Sequence, residues 1–292
     1  MKLRSLLFVP ADSERKLAKS LHSPADVLIL DLEDAVADSR KAIARAMAAE
    51  FIAANAQAPG ARLFVRINPL DTGWAMGDLA TVVVPGLAGI MLPKVHGAAD
   101  ILRLGHGLDA LEARAGIAAG SVKIVPVATE TPQAMLGMQT YTAAAGALDR
   151  LAGMTWGAED LSAAIGAVSN RDEDGSFSPL YQWAGSLCLC AAASAGVPAI
   201  DTLHADFRDA AGLAAACRAS RRRGFRGRIA IHPDQVPTIN EAYQPGPAEL
   251  AHARRIVDAF AAQPDAGALS IDGVMIDKPH LTQALRPLAG AD

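Results

Sequence analysis

Eight times along this chain a short apolar run gives way to a turn and then to a longer stretch with helical spacing, and no other feature restricts the fold as tightly. The runs fall at 5–9, 27–30, 63–67, 89–92, 124–128, 154–156, 199–200 and 229–231. A strand followed by a crossover helix, repeated, is the pattern of a parallel sheet, and eight such units suit closure into a barrel. A chain of 292 residues with 51% hydrophobic residues can bury the large core such a barrel needs. The expected fold is therefore a (β/α)8 TIM barrel over residues 1–235. Beyond it, Pro237, Pro245 and Pro247 lead into residues 236–292, read as a helical extension that leaves the barrel as a lid. In the stretch 40–54, Ile43, Met47, Phe51 and Ile52 are expected on the packed face, with Arg40, Lys41, Arg45 and Glu50 flanking it.

A net charge of −4 gives no long-range attraction to nucleic acid or to an acidic membrane surface. The one local exception is Arg221, Arg222, Arg223, Arg226 and Arg228, which reads as a solvated helix end or as a grip on ligand phosphates. The three cysteines, Cys188, Cys190 and Cys217, lack metal or redox spacing and point to a reducing compartment, with Cys188 and Cys190 as small core residues. Residues 6–9 are too short an apolar run for a signal sequence, so a cytoplasmic location is expected. The uncharged stretch 175–200 is broken by Gly185, Gly196 and Pro198 and reads as a buried barrel helix, without a membrane span.

In a parallel barrel the active site is built at the carboxyl ends of the strands. There this chain places Asp31, Glu33 and Asp34, then Arg66 and Asn68, Lys94, Glu130, Glu159 with Asp160, Asp201 with His204, and His232. Carboxylates gathered on one rim repel one another unless a cation sits among them. With oxygen donors and no His or Cys cluster beside them, that cation is expected to be Mg2+, with Mn2+ also suited. Asp12, Asp34 and Asp201 are equally well placed to cap a following helix. An arginine inside a barrel strand must be paired, and Asp31 or Glu33 is the natural partner of Arg66. Trp156 reads as barrel packing, and His232 as a loop anchor or a ligand contact.

Taken together, the runs 4–10 (RSLLFVP), 31–36 (DLEDAV), 66–69 (RINP), 92–95 (LPKV), 129–131 (TET), 157–161 (GAEDL), 231–233 (IHP) and 272–280 (DGVMIDKPH) resemble the citrate lyase beta subunit and malyl-CoA lyase family, within the HpcH/HpaI aldolase superfamily. The resemblance covers nearly the whole chain, in the family's order. It implies a Mg2+-dependent barrel enzyme, a homotrimer or larger, with Glu130 and Asp160 as metal ligands and Arg66 polarising a thioester carbonyl. It also implies that Asp277, on a lid reaching a neighbouring subunit's site, acts as acid and base. Phe8, Lys19 and the stretch around Arg226 fall where relatives touch coenzyme A, and Ser13 stands where some malyl-CoA lyases carry an arginine.

The candidate set is thus Arg66, Asp277 and Glu33 for catalysis, Phe8, Lys19, Arg66 and Asp31 for the substrate and its CoA, and Glu130 with Asp160 for the metal. The implied reaction is cleavage or formation of a 3-hydroxyacyl-CoA such as citramalyl-CoA or malyl-CoA, with acetyl-CoA and a 2-oxoacid on the other side. Three alternatives remain open: a Schiff-base aldolase using Lys94, a metal-dependent aldolase of free 2-oxoacid aldols, and a subunit acting on citryl groups borne by a carrier protein.

Overall fold

The computed structural model describes residues 1–289. The chain runs β1 (Ser5–Pro10), α1 (Glu14–Ser20), β2 (Val27–Asp31), α2 (Lys41–Ala54), β3 (Arg62–Arg66), α3 (Ala75–Val82), β4 (Leu87–Leu92), α4 (Ala98–Ala115), β5 (Lys123–Pro126), α5 (Pro132–Gly137) and α6 (Gln139–Ala143). It continues through β6 (Met154–Thr155), α7 (Glu159–Ile165), α8 (Pro179–Ser194), β7 (Ala199–Asp201), α9 (Ala210–Arg223), β8 (Gly227–Ala230) and α10 (Gln235–Tyr243). The strands form one parallel sheet in the order β5-β4-β3-β2-β1-β8-β7-β6. Its two ends meet where Ile124 N–H bonds the Arg150 carbonyl at 2.8 Å and Ala128 N–H bonds that of Thr155 at 2.8 Å, so the expected barrel is formed.

Alternation along each strand makes two cores. Leu6, Ile29, Phe64, Met91, Val125, Ile200 and Ile229 fill the barrel interior, while Leu7, Leu28, Leu30, Val65, Ile90, Leu92 and Ile124 pack outward under the helices. Burial on both faces is why the strands read as unbroken apolar runs. Gly89 belongs to this arrangement: a Cβ there would come within 2.4 Å of the Phe64 ring, which fills the space instead.

The face that α2 buries matches the expected one in part. Ile52 is buried together with Lys41, Ala44 and Ala48, and Met47 and Phe51 pack half-buried against the same core, while Ile43 is exposed. Alanines let the helix lie close on the sheet. The uncharged stretch does yield a packed helix, α8, with Tyr181, Ala184 and Cys188 buried, but Cys190 is exposed rather than in the core.

The chain divides into two compact units, and α10 stays with the first, which extends to Tyr243. The second unit contains α11 (Pro247–Ala262), β9 (Ala268–Ile271), β10 (Val274–Asp277) and α12 (Lys278–Ala289). It has its own small core of Ala253, Ile256, Phe260, Ile276 and Ala284. The helices were expected and the antiparallel β9–β10 hairpin was not. Asp272 (φ 53°) and Gly273 (φ 80°) supply the two left-handed residues that a tight type I′ hairpin turn demands. Among the described residues, no helix is long and apolar enough to cross a membrane.

Candidate active site

The mouth of the barrel is organised from the end of β2. Asp31, its last residue, is buried, and its carboxylate accepts the backbone N–H groups of Glu33 (3.0 Å) and Ala35 (3.1 Å), which folds the following turn around it. The same carboxylate takes a two-pronged bond from Arg66 at the end of β3, with Nε and Nη2 each 2.7 Å from an oxygen. Lys41, buried on α2, reaches underneath and donates to the carbonyls of Leu32 (3.0 Å) and Glu33 (3.1 Å). The turn carrying Glu33 and Asp34 is thereby fixed from both sides.

Arg66 Nη1 lies 2.8 Å from Glu33 Oε2 and 3.5 Å from Asp34 Oδ2. Its guanidinium carbon sits 4.5 Å from the centre of the Phe8 ring, contributed by β1. Burial opposes the charge of Arg66, but the Asp31 hydrogen bond and the Asp31, Glu33 and Asp34 charges outweigh it and hold the pKa above the ordinary value. Two of its five donors are hydrogen-bonded to Asp31, while Nη1 faces Glu33 Oε2 as an ion pair without a hydrogen bond, so donors remain for a ligand.

Lys94, just beyond β4, ties the second half of the site to the first. Its backbone is left-handed (φ 50°), a conformation that costs a non-glycine residue of order 1 kcal/mol or more. In it, the Lys94 N–H donates to Glu130 Oε2 at 2.6 Å, while Nζ lies 2.5 Å from Glu33 Oε1 and 3.2 Å from Asp160 Oδ1. Glu130 follows β5 and Asp160 opens α7 after β6, so two acids from separate staves flank one residue. Burial first, then the Asp160 charge, push Glu130 up to about 8. Burial likewise pushes Glu33 up to about 7, against the pull of Arg66 and Lys94. Lys94 itself is raised: burial works against its charge, but the Glu33 hydrogen bond and the surrounding carboxylates prevail. It is therefore held as an ammonium ion, the wrong form for Schiff-base attack.

Among the described residues, Asp31, Glu33, Asp34, Glu130 and Asp160 face Arg66 and Lys94, five acids against two cations. A divalent cation fits this imbalance. The donors are all oxygens, and Gly157 leaves Glu130 its place, since a Cβ there would lie 3.1 Å from Glu130 Cγ. Among the described residues no group of three or more His, Cys, Asp or Glu is placed to hold a metal ion by itself. Two protein carboxylates with the remaining positions open is the arrangement in which a hard ion takes water and ligand oxygens.

Two cavities meet here. One, of about 430 Å3, is the barrel mouth, with Arg66, Glu130 and Asp160 above an apolar floor that includes Met91, Val127 and Ile229. The other, of about 390 Å3, lies along α1 and is lined by Arg15, Lys16, Lys19 and His232. They share Phe8, Pro10 and Ile231 as walls. The structure thus brings together every candidate residue except Asp277, which ends β10 in the second unit. Lys41, Arg15 and Lys16 were not anticipated; the spacing 15, 16, 19 on one short helix was the available signal for the last two.

None of the three acids considered as caps serves as one. Asp12 pairs with Arg40, and Asp34 lies toward Arg66 and Lys94. Asp201 accepts Trp156 Nε1 at 2.7 Å and pairs with the buried Arg228. The caps are Thr131 on α5 and Asp209 on α9. Arg228 is therefore a structural cation, separate from Arg221, Arg222 and Arg223 in the last turn of α9. Trp156 packs edge-on against Phe177, 5.2 Å between centroids, and also walls the mouth.

The profile of the family described as HpcH/HpaI aldolase/citrate lyase matches residues 4–233. A citrate lyase subunit beta-like protein of Mycobacterium tuberculosis is 34% identical over 95% of this chain and 92% of its own length. A (3S)-malyl-CoA thioesterase of Cereibacter sphaeroides is 35% identical over 99% of this chain and 94% of its own. Among solved structures, the protein CitE of M. tuberculosis in complex with magnesium, acetoacetate and coenzyme A superposes with a TM-score of 0.76 at 34% identity, covering 99% of this chain and 97% of that one.

Proposed function

This chain belongs to the HpcH/HpaI aldolase/citrate lyase family and is a lyase, and from that premise we propose that it cleaves or forms the carbon–carbon bond of a 3-hydroxyacyl-CoA such as citramalyl-CoA or malyl-CoA. The products of cleavage are acetyl-CoA and pyruvate or glyoxylate. The observation that carries this reading is the convergence of Glu130 and Asp160 on Lys94, beside an arginine with donors to spare.

Glu130 and Asp160 would hold Mg2+, which supplies a Lewis acid for the hydroxyl and carboxylate oxygens of the substrate. Arg66, clamped by Asp31 and Glu33, is already aimed before substrate arrives. Its free N–H groups meet the thioester carbonyl and stabilise the enolate oxygen of the departing acetyl-CoA, and such preorganised donors lower barriers by about 3–4 kcal/mol each. Glu33 holds Arg66 and Lys94 in register. Asp277, brought to the mouth by the second unit of a neighbouring subunit in a homo-oligomer, protonates the enolate carbon, and in the reverse direction takes that proton from the acetyl methyl. Arg15, Lys16 and Lys19 receive the CoA phosphates in the cavity along α1, and the shared wall at Phe8 leads the pantetheine arm to the mouth.

The test is incubation of the isolated protein with Mg2+ and either (3S)-malyl-CoA or citramalyl-CoA, with chromatographic detection of products. Acetyl-CoA and a 2-oxoacid in equal amounts, lost on adding EDTA, are expected. Free CoA with intact malate would instead mark a thioesterase, the activity in the name of the C. sphaeroides relative. Turnover of free 2-oxoacid aldols or of a citryl carrier protein, with neither CoA ester touched, would overturn the proposal.

A further inference from the structure

Asp277 does not act alone in the second unit. His280, on the first turn of α12, holds its Nδ1 2.5 Å from Asp277 Oδ1 and 3.2 Å from the Asp277 backbone nitrogen. We infer that His280 is the positioning residue for Asp277: it fixes the carboxyl and exchanges with it the proton that Asp277 gives up or takes. This rests on the reading of Asp277 as acid and base.

Three features of the unit support it. First, the pair is held by packed elements with no loop between them, since β10 ends at Asp277 and α12 begins at Lys278. Pro279 stiffens that junction, and Ile276 and Ala284 anchor the two elements in the unit's core. Second, an aspartate just before a helix would ordinarily cap it, but among the described residues the Asp277 side chain accepts no backbone N–H; its one bond is to the imidazole. Third, the pair is half exposed, 37% for Asp277 and 44% for His280, so the carboxyl can present itself to a substrate while Nε2 stays open to water.

Asp277 is the one ionic partner of His280 among the described residues. Nearby, Lys278 lies over the Phe260 ring and Arg255 is paired with Asp272. Glu249 and Asp258 on α11 and Arg286 on α12 are further charges on the elements packed around it.

The proton balance is simple. In cleavage the substrate hydroxyl gives its proton to water as the C–C bond breaks, the Asp277 O–H passes its proton to the enolate carbon, and the carboxylate is reloaded from Nδ1–H of protonated His280, which regains a proton from water. In condensation Asp277 takes a proton from the acetyl methyl and hands it to neutral Nδ1, from which it leaves to water, and the new alkoxide takes a proton from water. A histidine is suited to this because its ordinary proton affinity lies near neutrality.

The experiment uses the full chain with Mg2+ and the CoA ester it cleaves, comparing Asp277→Ala, His280→Ala and His280→Asn. Asparagine keeps an N–H of similar reach but has no proton to exchange. Asp277→Ala should abolish turnover. His280→Ala should lower kcat about tenfold with KM unchanged, less than the roughly hundredfold or more of a group that itself moves the substrate's proton, because His280 acts through Asp277. His280→Asn should recover part of that loss, yet lose the dependence of kcat on pH that the wild type shows near neutrality. If either His280 variant reproduces the wild-type kcat and its pH profile, the inference is wrong even where Asp277→Ala is dead. Retained turnover in Asp277→Ala would sink the role of Asp277 itself, so the two failures are told apart. Melting curves of all three should coincide with the wild type, because both side chains are partly in solvent.

Discussion

Two buried glutamates at opposite ends of the barrel face opposite electrostatic surroundings. Glu112, at the end of α4, meets the segment that enters β5: it accepts Gly120 N–H and Val122 N–H at 2.8 Å each, and Arg150 Nη1 and Nη2 at 2.8 and 2.7 Å. Burial alone would raise its pKa, but Arg150 and the two amides hold it below the ordinary carboxylate range. Glu130, at the exit of β5, has one backbone N–H and a second carboxylate for a neighbour, and lies up at about 8. Both side chains are closed to solvent, but Glu112 lies in a shallow, fully paired network while Glu130 sits deep with its charge unmet, a structural network at one end and an electrostatic demand at the other. That unmet demand is what the proposed cation would answer.

Exchanging each acid for its amide separates the two roles most sharply. Glu130→Gln should reduce lyase turnover by about three orders of magnitude, since loss of a metal ligand forfeits several kcal/mol of charge stabilisation. It should leave chemical denaturation of the metal-free protein at pH 7 nearly unchanged, because a neutral amide replaces a carboxyl that keeps its proton in the fold up to about 8. Glu112→Gln should do the reverse, losing about 3–5 kcal/mol in urea unfolding as Arg150 is left partly unpaired, with kcat at 25 °C untouched. If Glu112→Gln lost activity without losing stability, the division into a structural and a functional end would fail.

A further effect follows from titration. Glu33 and Glu130 hold protons in the fold to about 7 and about 8, above where an unfolded chain would release them. Over that interval the folded state binds more protons than the unfolded one, so the metal-free protein should lose stability as pH rises from about 5 to 8, by several kcal/mol. Mg2+ requires the ionised carboxylate and should restore the melting temperature most strongly at the upper end, with proton release on binding measurable by calorimetry in two buffers. A Mg2+ effect independent of pH would place the ion away from Glu130.

Much of this contrast was legible in the sequence, and the reason is topological. In a parallel barrel a residue following an apolar run is delivered to one rim, so Asp31, Glu33, Arg66, Lys94, Glu130 and Asp160 could be gathered without coordinates. The same rule gathered Asp201, which instead serves Trp156 and Arg228. Strand position brings an acid to the rim but does not say whether an arginine from the next strand has already neutralised it. Lys41 escaped because its helical phase reads as a flank; its burial depends on two carbonyls of a turn nine residues earlier in the chain. The β9–β10 hairpin had a local signal in Asp272-Gly273, hidden by strands of only four residues.

The finest probe of the contrast is a single methyl group. Gly157 has an ordinary backbone, and its importance lies in what stands opposite: a Cβ there would sit 3.1 Å from Glu130 Cγ and 3.4 Å from Oε1. Contacts that tight force a few tenths of an ångström of retreat. Glu130 has little freedom to give, because Lys94 N–H holds its other oxygen at 2.6 Å. Gly157→Ala should therefore fold with near wild-type stability and bind Mg2+ about tenfold more weakly, the size expected when a ligand's support is disturbed. Turnover should return at saturating Mg2+. If the affinity is unchanged, the carboxylate has room that the packing denies it, and Gly157 is no part of the metal site; if turnover stays low at saturating metal, the methyl group has blocked the substrate instead.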